Sequence, residues 1–259
     1  MIITREIAKK VVETVDKGLV KGMGVQKPGQ MCIEAAVCFA LGLPHSDNPP
    51  CVHPTIRSLK IRFNDSCWSS DTARAKGMRK LAILQLGTKT VTEFGEVPDY
   101  VFDAKEFIKR LIPVALEVAE QVQPNPKPDY WDDVQEACGL VLKALNGDGD
   151  LSFARDKAWS ASNKARVKAR NADAAAYAAA AADAAAYAAY AAAAAAAAAY
   201  VAAAYAADAA YAADAADAAD AADAAGNKSD EILSKFAEQV SQILIDMKVP
   251  GVEWLDLLD

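Results

Sequence analysis

Histidine and cysteine are both scarce in this chain of 259 residues, which holds two histidines and five cysteines. The thiols are those of Cys32, Cys38, Cys51, Cys67 and Cys138. An odd number of cysteines without paired spacing predicts reduced thiols rather than a disulfide framework. The N-terminus also lacks a basic segment followed by an apolar one, and together these absences predict a cytoplasmic protein.

The shortage of histidine also limits the chemistry that the chain can carry out. His45, Cys51, His53 and Cys67 are the candidate zinc ligands, but their spacing matches none of the paired patterns of zinc sites, so we predict a capped loop without metal. No nucleophile and base are clearly paired and no glycine-rich phosphate loop is present, although His53 near Cys51 leaves a Cys–His arrangement open. We therefore predict a protein without catalytic residues or cofactors.

Alternating strand patterns are nearly absent as well. Only residues 88–102 show β-branched alternation, which is typical of a short hairpin or an irregular loop. Elsewhere apolar residues recur at helical spacing, so we predict an all-α fold. A proline-rich linker suggests three parts: a helical head (1–123), a linker, helix and long helical region (124–225), and a C-terminal amphipathic helix with a docking tail (226–259).

Long apolar runs are missing too, apart from an alanine-rich segment that is interrupted by Asp and gains little from lipid, so we predict no membrane span. The net charge of −7 argues against a general nucleic-acid binder. Against this acidic background, residues 51–87 carry seven basic and two acidic side chains. We call this segment the basic hairpin, because its spacing predicts one helix over residues 53–63, a turn at 64–66, and a second helix from Ser69 or Ser70 to Gly87. Such a basic region in an acidic protein indicates a site for an anion.

The basic hairpin has two features that suit a phosphorylated or nucleotide-like ligand. Four of its cations are arginines, which bind phosphate through two parallel hydrogen bonds, and Trp68 lies in the turn, where its ring can stack on a base. Gly77 costs its helix about 1 kcal/mol relative to Ala, which indicates close approach of another backbone or a ligand. The predicted ligand-binding residues are Arg57, Arg62, Asn64, Asp65, Trp68, Arg74 and Arg79. The alternative is an ordinary amphipathic hairpin with solvated cations and Trp68 in the core.

Three segments resemble a family of uncharacterised bacterial and bacteriophage proteins. They are MCIEAAVCFALG near the start, IRFNDSCWSSDTARAKGMRKLAILQLG in the basic hairpin, and VPGVEWLDLL after the alanine-rich segment. The similarity covers about half of the chain and is most specific in the hairpin. It implies a bacterial or phage origin and a cytoplasmic setting, and it implies no particular activity.

Two single residues and one short segment carry further expectations. Glu34 lies within an apolar helix that follows Pro28, and we expect it to be exposed, the alternative being a buried carboxylate with a raised pKa. Pro113 should kink or divide the helix that contains it. The segment NGDGD (146–150) resembles the start of a calcium loop, but Leu151 and Lys157 stand where a Gly and a Glu are required, so we predict a turn that caps the next helix.

An alanine-rich tract occupies residues 172–225, with 40 Ala, seven Asp, six Tyr and one Val. No Gly or Pro occurs from 150 to 225, so the whole stretch is predicted to be helical, up to about 110 Å long. Such a helix buries little by itself and should pack against something. Basic side chains precede Asn171 and only acidic ones follow in the tract, which predicts antiparallel packing within the chain or in a homo-oligomer.

Two classes of function follow from these patterns, with a third suggested by composition. The first is non-catalytic binding of a small anionic ligand at the basic hairpin, for instance by a phage protein that sequesters a host nucleotide signal. The second is a structural or interaction protein that assembles through the Ala-rich helix. An ice-binding protein is the third, although the tract lacks Thr and an 11-residue period.

Overall fold

The computed structural model of the chain describes residues 3–66, 68–89, 100–121, 131–169 and 228–259. Regular structure in these ranges is helical, with one isolated bridge between Gly24 and Met31, which confirms the all-α prediction. The α-helices are α1 (Arg5–Val15), α2 (Ile33–Ala40), α3 (Pro54–Asp65), α4 (Asp71–Leu84), α5 (Ala104–Gln121), α6 (Trp131–Leu145), α7 (Leu151–Ala169) and α8 (Lys228–Asp246). A 3-10 helix over Pro250–Leu258 ends the chain.

Polar side chains fix where several of these helices begin. Thr4 accepts a hydrogen bond from the backbone N–H of Ile7 at the start of α1, and Ser70 accepts one from Ala73 at the start of α4. The Ser70 cap is one of the two that the sequence predicted. In α2 the cap is the Cys32 thiol, so this helix begins at Ile33, several residues after Pro28.

One continuous apolar core joins the helices, and α4 lies at its centre. Helix α4 packs against α1, α2, α8 and the 3-10 helix. From α8 the packing continues outward through α5 and α6 to α7. Trp254 of the 3-10 helix is buried, and a Cβ atom on Gly251 would lie 2.3 Å from the Ile83 carbonyl oxygen. The predicted docking of the C-terminal tail is therefore confirmed.

These helices bear on two of the local predictions. Helix α5 is continuous across Pro113, so the helix is not divided there, and the alternative of a kink stays a prediction. Asp150 accepts hydrogen bonds from the backbone of Ser152 and Phe153, at 2.7 and 3.2 Å, which confirms that the NGDGD turn caps the next helix.

Other predictions fall outside the described residues. Most of the segment with β-branched alternation (90–99), the proline-rich linker (122–130) and the tract with its flanks (170–227) lie there, and the three-part division stays a prediction. Among the described helices, none combines the length and the apolar character that a membrane span requires.

Candidate functional site

The basic hairpin is built from α3 and α4, as the sequence predicted. Pro54 occupies the first turn of α3, where its missing N–H leaves no hydrogen bond unmade, and His53 Nδ1 accepts a hydrogen bond from the Thr55 N–H. Helix α4 starts behind the Ser70 cap with Asp71 in its first turn, where a carboxylate is favourable. The seven predicted site residues therefore all lie on these two helices or on the turn between them.

The partly exposed arginines of the hairpin each bind a carboxylate from elsewhere in the chain. Arg57 donates to the Asp47 carboxylate at 2.8 Å and to the Asp47 backbone oxygen at 2.6 Å. Arg79 forms a two-point contact with Asp16, at 2.7 and 3.1 Å, and donates to the Leu258 carbonyl oxygen. These contacts raise the pKa of Arg79, mainly through the hydrogen bond to Asp16, and both guanidinium groups are held by the protein itself.

Arg74 lies inside the protein, with only 5% of its surface exposed. Its guanidinium group donates to the backbone oxygens of Asn64 and Leu19, at 2.7 and 2.9 Å, and to the Asp71 carboxylate at 2.6 Å. It therefore joins the end of α3, the start of α4 and the chain after α1. This pattern is typical of a structural arginine that satisfies buried carbonyl groups.

Asn64 and Asp65 hold the segment between α1 and α2, which we call the basic loop (residues 17–31). Asn64 donates to the Val20 carbonyl oxygen at 2.8 Å and accepts from the Ile33 N–H at 3.2 Å. Asp65 accepts from the Gly22 N–H at 2.7 Å. Both side chains are thus used to fix a loop.

Trp68 is a core residue. Its ring packs edge-on against Phe63, with centroids 5.4 Å apart, and its indole N–H donates to the Phe63 carbonyl oxygen. A Cβ atom on Gly77 would lie 2.2 Å from the Trp68 ring, so the close approach predicted at Gly77 is that of an aromatic side chain. Of the seven predicted residues, only Arg62 has a side chain outside the described set.

A buried ion pair between Glu34 and Lys60 is the feature that sequence reasoning missed. Their exposed side-chain fractions are 0% and 1%, and Lys60 Nζ lies 2.6 Å from Glu34 Oε1 and also donates to Gln85. Burial raises the pKa of Glu34 and lowers that of Lys60, while the charge of each partner opposes both shifts. The expectation that Glu34 is exposed is wrong. The signal was present, because Lys60 follows Ile56 by four residues and so lies on the apolar face of α3.

The described cysteines are buried thiols that lie near this pair or in the core. Burial raises the pKa of Cys32 and Cys51 to about 11, and that of Cys38 and Cys138 to about 12. These thiols therefore stay protonated near neutral pH, which is not the state of a nucleophile. No group of three or more His, Cys, Asp or Glu in the described part of the chain has the geometry of a metal site.

The basic hairpin therefore has its cations paired largely within the protein. Carboxylates lie within 4 Å of five of its seven cations, namely Arg57, Lys60, Arg74, Arg79 and Lys80. Comparison of the chain with protein-family models, with curated proteins and with solved structures finds no match. The resemblance to uncharacterised bacterial and phage proteins and the anion site at the hairpin both stay predictions.

Proposed function

We propose that the protein is a non-catalytic interaction protein that self-associates through α7 and the Ala-rich tract that follows it. The observation that carries this proposal is the surface of α7. Its alanines at positions 154, 158 and 161 are buried, whereas Phe153 and Trp159, which flank that buried stripe about 120° apart around the helix, are 52% and 49% exposed. Two half-exposed aromatic side chains on one helix are the kind of surface that a partner protein covers.

The size of this aromatic surface indicates that the tract takes part. Half-exposed Phe and Trp side chains offer about 200 Å² in total, whereas a stable interface buries about 800 Å² per partner. The remainder must come from adjoining surface, and α7 leads directly into 54 residues that are mostly alanine. Small side chains allow two helices to approach closely, so a second copy of the same segment is a suitable partner.

Ligand binding at the basic hairpin has less support from the geometry. Arg57, Arg74 and Arg79 already contact Asp47, Asp71 and Asp16, so an anion would have to displace a carboxylate that is tied to each of them. Arg74 is itself buried, and removing the carboxylate partner of a buried charge is costly. Self-association requires no such exchange.

Native mass spectrometry and sedimentation over a range of concentrations test the proposal. Wild-type protein should form a defined oligomer, and the variant Phe153→Ala/Trp159→Ala should raise the dissociation constant at least about tenfold, because interface aromatics are common hot spots. Val101→Ala is the control, since Val101 is 75% exposed and precedes α5 in the chain, outside α7. A wild-type monomer at every concentration would overturn the proposal.

The same native mass spectra also test the hypothesis that the basic hairpin binds a small anion. A small retained mass that is lost in Arg57→Ala would favour anion binding at the hairpin. Circular dichroism of each variant checks that helicity is unchanged, so that a change in mass reflects binding rather than unfolding.

A further inference from the structure

The basic loop presents three exposed lysines that form no ion pair with the described residues. Lys17, Lys21 and Lys27 are exposed, and residues 17–31 contain no acidic side chain. Among the described residues, no carboxylate lies within 4 Å of these three amines. Met23 and Val25 are also exposed, at 44% and 56%. The loop therefore combines unpaired positive charge with apolar surface.

The backbone of this loop is held in one conformation. Hydrogen bonds join Val20 to Met31 and Val25 to Gln30, at 3.1 and 2.7 Å. Gly24 has a φ of +69°, and a Cβ atom there would lie 2.1 Å from the Gln30 carbonyl oxygen. A partner of the lysines would therefore meet a preformed surface and would not have to order the backbone.

The start of α8 lies beside this loop. Asp230 accepts hydrogen bonds from both the backbone N–H and the hydroxyl of Ser69. Asp71 lies two residues after Ser69, and its carbonyl oxygen accepts a hydrogen bond from the Leu19 N–H at 3.2 Å, at the base of the loop. Lys80 contacts Glu238, so α4 and α8 run parallel and α8 begins at the end of α4 that lies next to the loop.

The segment that enters α8 is the most acidic part of the tract. Residues 208–223, which we call the acidic end, hold five Asp, one Tyr and ten Ala, with no basic side chain. Asp223 precedes Asp230 by seven residues, which span at most about 25 Å even when fully extended. In the described part of the chain, α5 and α6 lie between α7 and α8.

We infer that the basic loop is the docking surface for the acidic end of the same chain. On the helix that the sequence predicts, Asp217, Asp220 and Asp223 fall within an arc of about 120° and so match a patch of three lysines. Tyr and Ala side chains beside them meet Met23 and Val25. With the acidic end docked in this way, the proposed self-association would use α7 and residues 172–207 of the tract.

Carbodiimide coupling of the full-length protein tests the contact, because it joins amines to carboxylates only where they touch. Two exposed pairs serve as internal standards, Lys80 with Glu238 at 2.7 Å and Lys235 with Glu117 at 2.8 Å. We expect mass spectrometry to find links from Lys17, Lys21 or Lys27 to Asp217, Asp220 or Asp223. A mixture of unlabelled and 15N-labelled protein should give links within one copy only.

Matched variants test whether the yield of loop links depends on these aspartates. Asp217→Asn/Asp220→Asn/Asp223→Asn should lower the yield of loop links on the remaining acidic residues by about tenfold, as the loss of several exposed ion pairs implies. Asp173→Asn/Asp183→Asn should leave the yield unchanged. Lys21→Gln tests the loop side of the contact through the same yield of loop links. Its control is Lys76→Gln, since Lys76 is exposed on α4 outside the loop.

Three results would overturn the inference. They are reaction of the standards without any loop link, links between differently labelled copies, and links from the acidic end to Lys157, Lys164 or Lys168. Self-association is measured separately by native mass, so either idea can fail while the other stands.

Discussion

Of the described charged side chains, Glu34 and Lys60 are enclosed most completely. Taking two charges out of water costs several kcal/mol per ion, which their attraction repays only in good geometry. Here Lys60 has both Glu34 and Gln85 as partners, whereas Glu34 Oε2 has no hydrogen-bond donor among the described residues. The pair joins α2 to α3 and α4 and fixes how they meet, while an apolar pair would hold the same space with less electrostatic cost.

Removing one member of this pair should be far worse than removing both. We expect Glu34→Met and Lys60→Met each to lower the free energy of unfolding by about 3–5 kcal/mol, because each leaves a buried charge unpaired. The double variant should unfold at about the wild-type free energy or above it. Urea denaturation of the four proteins gives the coupling energy. Additive losses in the double variant would show that the two groups do not interact.

His53 gives the protein a pH dependence in the mildly acidic range. Burial, with a smaller effect of the Lys89 charge, lowers the pKa of His53 from 6.5 to about 4. Between these values the unfolded chain binds a proton that the folded chain does not, so the free energy of unfolding falls as the pH drops through this window. The loss from this residue is at most about 3 kcal/mol.

The variant His53→Asn isolates that contribution. Asn keeps an acceptor for the Thr55 N–H at the start of α3 but does not titrate. Denaturation curves at intervals from pH 7 to pH 4 should show a smaller loss for the variant than for the wild type. Parallel curves would mean that His53 is protonated equally in the folded and unfolded chains.

At the scale of elements, the basic hairpin is the central packing unit of the described part of the chain. Helix α4 contacts four other helical elements, and its polar side chains bind α1, α8 and the C-terminal 3-10 helix. The positive charge that sets this segment apart in the sequence thus compensates carboxylates distributed over the rest of the head.

Gly77 and Gly139 make a matched pair of helical glycines with opposite expectations. Gly77→Ala would press a methyl group into the Trp68 ring, and we expect a net loss of about 1–3 kcal/mol because overpacking exceeds the gain in helix propensity. Gly139 lies in α6 with no other atom within 4 Å of its added Cβ.

The substitution at Gly139 should therefore change the free energy of unfolding in the opposite direction. We expect Gly139→Ala to raise the free energy of unfolding by up to about 1 kcal/mol. Thermal and urea denaturation of both variants measure the two effects. Equal effects of the two substitutions would mean that the Trp68 ring moves aside at little cost.

The helices themselves followed from apolar spacing and capping, because both depend on residues within a few positions of each other. The hairpin and the Ser70 cap were accessible in this way, whereas the turn predicted at residues 64–66 begins later because α3 extends to Asp65. The partners of its arginines were not, since Asp16 and Arg79 are 63 residues apart in sequence and only the packed fold brings them together. Composition showed an excess of positive charge at the hairpin and could not show that most of it is paired internally.

At the scale of the whole molecule, the described part of the chain, called the folded head from here on, includes both helices that flank the tract. Helix α7 packs on α6, and α8 packs on α4 and α5, within one continuous core. Replacing residues 172–225 by a Gly/Ser linker of about 20 residues should thus leave the head folded. We expect its free energy of unfolding to change by less than about 2 kcal/mol, since a shorter loop alters closure entropy only slightly.

Urea denaturation followed by circular dichroism measures this change, and native mass should show a monomer. Loss of a cooperative transition in the shortened protein would mean that the tract is part of the folding unit. The full-length protein in the same buffer is the reference.

Because the helices on both sides of the tract are packed in the core, the length of the tract can vary between copies of the gene. The tract closes a loop on the head, and the entropy of closing a loop grows with the logarithm of its length, so doubling 54 residues costs only about 0.6 kcal/mol. Replication errors that add or remove nine-nucleotide units in the Asp-Ala-Ala repeat therefore alter the reach of the loop almost without penalty to the core. Tract length is free to drift, or to be selected, independently of the head that carries it.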